Sequence, residues 1–304
     1  MKKIFLILFF VLILFAGDRF FGYAISKLLS FSKHNIAMLY SNKLEGEIII
    51  LGNSRAYRHF DQNTISNLFN YKVINLSELG ASTLVSQTYF FDYLEKNRKP
   101  KMIIIELSNI DTDHASILKL RPFQGKSERI NKLLKFYYKK YFYAGMVSSL
   151  FKYNNFNTIN IIHKIFTEPK YINIGQRREV LSVTDRFPEL LYPYNWNHDP
   201  FRRKDIHFHK TNLNSLKEIV KKCNYENIEI KLIYTPIGVV KNLEAYLLSR
   251  TNFFNIINKE IPNQKIWDFS WFDSLEASDF YDSNHLNQKG VNKLINKMQE
   301  DKFF

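Results

Sequence analysis

Ser54, His285 and Asp282 are the residues whose types and spacing fit covalent chemistry best. A serine hydroxyl is a weak nucleophile near neutral pH and needs a base within hydrogen-bond reach. His285 is the candidate base. Asp282, three residues earlier in the same loop, could accept a hydrogen bond from the other imidazole nitrogen, fixing the tautomer and stabilising the imidazolium formed during attack. The oxyanion of a tetrahedral intermediate also needs donors, each worth about 3 kcal/mol. The backbone N–H groups of Ser54 and Gly80 and the side-chain amide of Asn109 are the candidates. Taken singly, each residue also has a plain structural reading: Ser54 as a helix N-cap, Asp282 as the N-cap of the final helix, Asn109 as a turn cap and His285 as a surface histidine.

What joins them is their placement. Glu47–Leu51 is an apolar run feeding Gly52-Asn53-Ser54-Arg55, Tyr71–Leu76 reads as a second strand ending near Gly80, and Met102–Glu106 as a third closing on Leu107-Ser108-Asn109. Helices are expected at Ser82–Asn97, Leu213–Lys222 and Val240–Lys259, with strands at Ile228–Tyr234 and Lys265–Phe269. The loop Asp282–Gly290 follows, and a closing helix runs from Gly290 to Met298. Alternating helices and near-continuous apolar strands predict an α/β fold, a parallel sheet covered on both faces. Ligands of such sheets bind outside the carboxyl ends of the strands, where all these residues fall.

GNS at Gly52–Ser54, Gly80, Asn109 and DSNHLNQKG at Asp282–Gly290 together resemble the four ordered blocks of the SGNH, or GDSL-like, hydrolase superfamily. The C-terminal D-x-x-H-L-N-x-x-G matches most closely. Asn53 stands where many esterases have Asp, and the third block reads ELSNID rather than Gly-x-Asn-Asp. The resemblance implies a flavodoxin-like three-layer α/β/α fold. It also implies a ping-pong reaction in which Ser54 takes an acyl group and passes it to a sugar or polyol hydroxyl rather than to water, without metal or organic cofactor; spacing alone does not separate transfer from hydrolysis.

The N-terminus adds a second expectation. Met1-Lys2-Lys3 is followed by thirteen uninterrupted apolar residues, Ile4–Ala16, and then by Gly17-Asp18-Arg19. This is an export signal with no clear A-x-A cleavage site, and RFFGYAISKLLSF after it could prolong the helix or lie along a membrane surface. An uncleaved anchor at 1–34 is expected, joined to an SGNH-like domain at 35–304 that carries a mostly helical insertion at about 110–205. That combination looks like the envelope acyl-transfer branch: alginate and peptidoglycan O-acetylation proteins and DltD-type proteins of teichoic-acid D-alanylation. It implies an extracytoplasmic bacterial domain, a polysaccharide or teichoic-acid-like acceptor, and a multispanning membrane-bound O-acyltransferase as partner. A non-catalytic scaffold holding the polymer near such an acyltransferase is the alternative.

With 45% hydrophobic and 16% aromatic residues the chain is that of a packed protein. Cys223 is its one cysteine, which excludes an intrachain disulfide and thiolate metal clusters. A formal charge of +14 favours anionic partners, but no nucleic-acid signature accompanies it. Arg55 is read as a contact to an anionic substrate or as a surface salt bridge. Asp111 is read as a substrate contact, since acidic residues after a strand more often turn the chain or touch substrate than bind metal. His207 and His209 alternate as strand residues would, with no ligand-like partner nearby in sequence, and are read as structural. KFYYKKYFY, Lys135–Tyr143, suits a membrane surface or an anionic glycan, or else one face of a cap helix.

Overall fold

The computed structural model describes residues 2–167, 194–195, 209–240 and 243–304. Five strands form the sheet: β1 (Ile48–Leu51), β2 (Val73–Asn75), β3 (Met102–Glu106), β4 (Glu229–Tyr234) and β5 (Ile266–Asp268). Every pairing is parallel, and the order is β2-β1-β3-β4-β5. This is the order of flavodoxin-like doubly wound sheets. Ile48 faces Val73 on one side and Met102 on the other, and Leu232 pairs with Ile266. All residues of β1, β2 and β3 are buried. That explains the apolar runs Ile48–Leu51 and Met102–Ile105: a strand covered on both faces has no solvent side to alternate with.

The helices are α1 (Lys2–Phe31), α2 (Asn35–Leu39), α3 (Ser54–His59), α4 (Gln62–Phe69), α5 (Thr83–Lys96), α6 (Glu128–Tyr137), α7 (Lys139–Val147), α8 (Ser149–Tyr153), α9 (Phe156–Thr167), α10 (Lys210–Glu226), α11 (Leu243–Glu260) and α12 (Gln288–Glu300). On one face of the sheet, Ile48, Ile50 and Ile104 pack with Ala56 of α3, Ile65 of α4 and Val291, Leu294 and Met298 of α12. Successive strand residues point to opposite faces, so Ile49, Ile103 and Ile105, all fully buried, serve the other layer, where α5 and α10 pack together. The result is a three-layer α/β/α fold in which the five expected strands and the expected helices α5, α10, α11 and α12 lie within a few residues of their expected positions, while α3 and α4 between β1 and β2 were not foreseen.

Chain contacts group the described residues into two units. One is formed by the chain up to Leu44 together with Ala115 to the end of α9, the other by Glu45–His114 and the described residues from 194 onward. The first unit thus gathers the N-terminal helix with the start of the expected insertion; residues 168–193 and 196–208 of that insertion lie outside the described residues. α1 runs unbroken through Asp18 and Arg19, with a mean hydropathy of 2.4 over its best 18-residue window and none of that window buried. It is one helix long and apolar enough to cross a membrane.

Candidate active site

Ser54 opens α3 directly after β1. The cap is not Ser54 but Asn53, whose Oδ1 accepts from the Arg55 N–H at 2.9 Å. This frees the serine hydroxyl. As the first helical residue, Ser54 also has an N–H with no carbonyl inside the helix to receive it.

Asp282 and His285 meet Ser54 from the loop after β5. Ser54 Oγ lies 2.8 Å from His285 Nε2, and His285 Nδ1 lies 2.8 Å from both Asp282 oxygens. A hydrogen on Nδ1 donated to the carboxylate leaves Nε2 to accept the serine proton. The pairing within the loop is local in origin. Asp282 Oδ1 also accepts the N–H groups of Asn284 (2.8 Å) and His285 (2.9 Å), folding D-x-x-H into a tight turn.

The rest of the motif has equally physical duties. Leu286 is fully buried. Asn287, not Asp282, caps the last helix, accepting the Gly290 N–H at 3.1 Å. A Cβ on Gly290 would overlap the Asp279 carbonyl oxygen, so only glycine lets α12 start this close to the preceding loop.

Burial alone would raise the Asp282 carboxyl. The hydrogen bond and charge of His285, the Asn284 N–H and the Arg58 cation outweigh that and hold it below the ordinary carboxylate range. A carboxylate whose pKa is lower in the folded state contributes stability above its unfolded value, about 3.9, and loses it as pH falls through the folded value. Asp282→Asn should therefore unfold at a lower temperature than the parent near neutral pH, with the gap narrowing in acid below about pH 4. Thermal unfolding of both proteins across that range checks it; a gap that stays constant with pH would refute it.

Beneath the triad lies a buried polar network that the sequence does not announce. His59 Nε2 accepts the Leu286 N–H at 3.0 Å, so its hydrogen sits on Nδ1, 2.8 Å from Thr235 Oγ1. Thr235 in turn donates to Glu106 Oε1 at 3.3 Å. Glu106 also receives the Ser108 N–H and hydroxyl and pairs with Arg55, while the Arg55 guanidinium donates to the Thr235 carbonyl. The ends of β1, β3 and β4 and the His285 loop are joined in one chain of bonds. One signal was available: Glu106 is an acid terminating an otherwise apolar strand, where an unpaired charge would be costly.

Arg55 requires a correction. Its side chain is 2% exposed, its partner Glu106 is fully buried, and it lies 4.4 Å from the centre of the Tyr234 ring. It is a core cation rather than a substrate contact or surface ion pair, and Glu106 and the neighbouring tyrosines raise its pKa against the effect of burial.

The other expected site residues are placed as follows. Gly80, exposed and at φ +64°, follows Glu78, whose N–H bonds the Gly52 carbonyl at 3.3 Å and so ties its loop beside Ser54. Asn109 is fully buried, its Oδ1 accepting from Thr83 (2.9 Å) and its Nδ2 donating to Ser86 (3.2 Å). Its amide is thus engaged at the start of α5, because that helix end supplies hydroxyl partners. Asp111 ends the 3-10 turn Leu107–Asp111, half-buried. The His209 ring lies 6.1 Å from that of His114 at the start of α10; His207 falls outside the described residues. No group of three His, Cys, Asp or Glu among the described residues could share a metal ion.

No family model matches this chain, and no curated protein matches it either.

Proposed function

We propose that the chain is a serine-dependent O-acyltransferase or carboxylic ester hydrolase that transfers or removes an acyl group, acetyl in the first instance, on a cell-envelope glycopolymer. The single observation carrying this reading is the continuous Ser54–His285–Asp282 relay, with each step at 2.8 Å. Ser54 Oγ attacks the acyl carbonyl while its proton passes to His285 Nε2, and the N–H groups of Ser54 and Gly80 receive the oxyanion. The imidazolium then returns the proton to the departing alkoxide, leaving an acyl-serine. An acceptor hydroxyl, or water, reverses the sequence and releases Ser54.

α1 serves in this reading as a membrane anchor that holds the catalytic domain outside the cell, beside a polysaccharide or teichoic-acid-like acceptor and a multispanning O-acyltransferase that supplies the acyl group. The resemblance of the four blocks supports this setting. The Asn109 amide, committed to Thr83 and Ser86, favours the other reading, a scaffold that binds polymer without chemistry.

A fluorophosphonate probe separates the two. The full chain in detergent should become labelled at Ser54, with labelling lost in His285→Ala because the hydroxyl then lacks its base. A chain that stays unlabelled while its fold is intact would favour the scaffold.

A further inference from the structure

We infer that the helices α6 to α9 form a second membrane contact, lying on the anionic headgroup surface beside α1. This inference rests on α1 being a membrane anchor.

Three observations carry it. First, α8 is bolted to α1 just past the apolar run. Asp18 on α1 caps α8, accepting from the Ser148 hydroxyl at 2.6 Å and from the N–H groups of Ser149 (2.8 Å) and Leu150 (2.9 Å). Arg19 donates to the Val147 carbonyl at 2.8 Å and to Ser149 Oγ at 3.1 Å. A Cβ on Gly22 would overlap that of Ser149, so the two helices touch backbone to side chain. Ile4–Ala16 covers about 20 Å, short of a hydrocarbon layer about 30 Å thick, and a short apolar run is accommodated by local thinning of the layer, which brings Asp18 and Arg19 to its edge. What they hold is therefore at headgroup depth.

Second, this unit exposes large apolar side chains: Phe136 is 80% exposed, Phe156 78% and Val147 73%. In α6, Ile130 and Leu134 point inward, leaving Lys132, Lys135 and Phe136 outward. Lys132, Lys135, Phe136 and Lys139 rim an open cavity of about 590 Å³ with Leu133 and Tyr137. Aromatic rings flanked by lysines suit the boundary between acyl chains and headgroups.

Third, the positive charge is concentrated here. Residues 115–167 contain ten Lys or Arg and one Glu, a net +9 of the chain's +14. Basic clusters beside an anchor are drawn to anionic lipid.

The test uses the full chain in vesicles containing phosphatidylglycerol. Cys223 is buried, with its thiol pushed up to about 12, so a nitroxide reagent goes to an introduced cysteine. Labels at Phe136→Cys and Phe156→Cys should meet oxygen more readily than a water-soluble nickel chelate, as should one at Phe10→Cys in the anchor. A label at Tyr225→Cys, 79% exposed on α10, should favour nickel. Replacing the anionic lipid by phosphatidylcholine should raise nickel access at position 136 several-fold. If positions 136 and 156 meet nickel as freely as position 225 while position 10 stays in lipid, the second contact is refuted and the anchor survives. Position 10 in water would refute both. Protection of position 136 by soluble polyacrylate but not by anionic lipid would assign the surface to an anionic polymer and overturn the inference.

Discussion

Ser54→Ala should lower the turnover of p-nitrophenyl acetate by a factor of about 10⁴ or more, and adding His285→Ala should cost almost nothing further. A factor of 10⁴ corresponds to about 5.5 kcal/mol of lost transition-state stabilisation. The reason is the shared proton. In the proposed reaction Oγ and Nε2, 2.8 Å apart, act as one nucleophile–base unit, so removing either half should disable both. Residual turnover in both variants would come from the backbone donors alone. Ser54→Ala leaves no buried charge and should unfold near the parent temperature, whereas His285→Ala takes from the Asp282 carboxylate its main partner and should unfold somewhat lower. Initial-rate measurements on the parent, both single variants and the double variant decide the matter. Multiplicative losses would mean that the two side chains act separately and that the relay is not the catalytic unit.

The second large effect is on stability. Arg55→Met should destabilise the fold by about 3–5 kcal/mol, because it leaves the Glu106 carboxylate buried without its cation. Glu106 is fully buried and would keep only the Ser108 and Thr235 donors. Adding Glu106→Gln should restore part of the loss: a neutral amide carries no uncompensated charge, and its one oxygen can still accept from the donors on one side, Ser108 or Thr235. Urea unfolding of the two variants checks the order of stability. If Arg55→Met/Glu106→Gln is less stable than Arg55→Met alone, the ion pair is not what the arginine contributes. The same network bonds His59 and, through it, the Leu286 N–H next to His285, so on the proposed mechanism Arg55→Met should also reduce turnover without altering Ser54, His285 or Asp282.

Much of the architecture was legible in the residues. Apolar runs such as Ile48–Leu51 and Met102–Ile105 could be satisfied only by strands covered on both faces, and the turn residues between them marked the carboxyl ends at which Ser54, Gly80 and Asp282 fall. Asp282 and His285 are three residues apart, and their pairing needs only a short turn closed by the aspartate's own hydrogen bonds. Ile4–Ala16, without a polar residue, had to be a long apolar helix.

Tertiary structure alone decided the rest, since each remaining feature depends on a partner far away in the chain. Ser54 and His285 are 231 residues apart and meet only because β1 and the last loop end on the same edge of one sheet. Arg55 is a charged residue by composition and a core residue by position, made tolerable by Glu106 and Thr235 arriving from two other strands. The Asn109 amide was claimed by hydroxyls of α5, and Asp18 found its donors at the start of a helix 130 residues on. Local pattern reports which face a residue prefers; which distant group satisfies it is set by packing, where an unpaired buried polar group is too costly to leave.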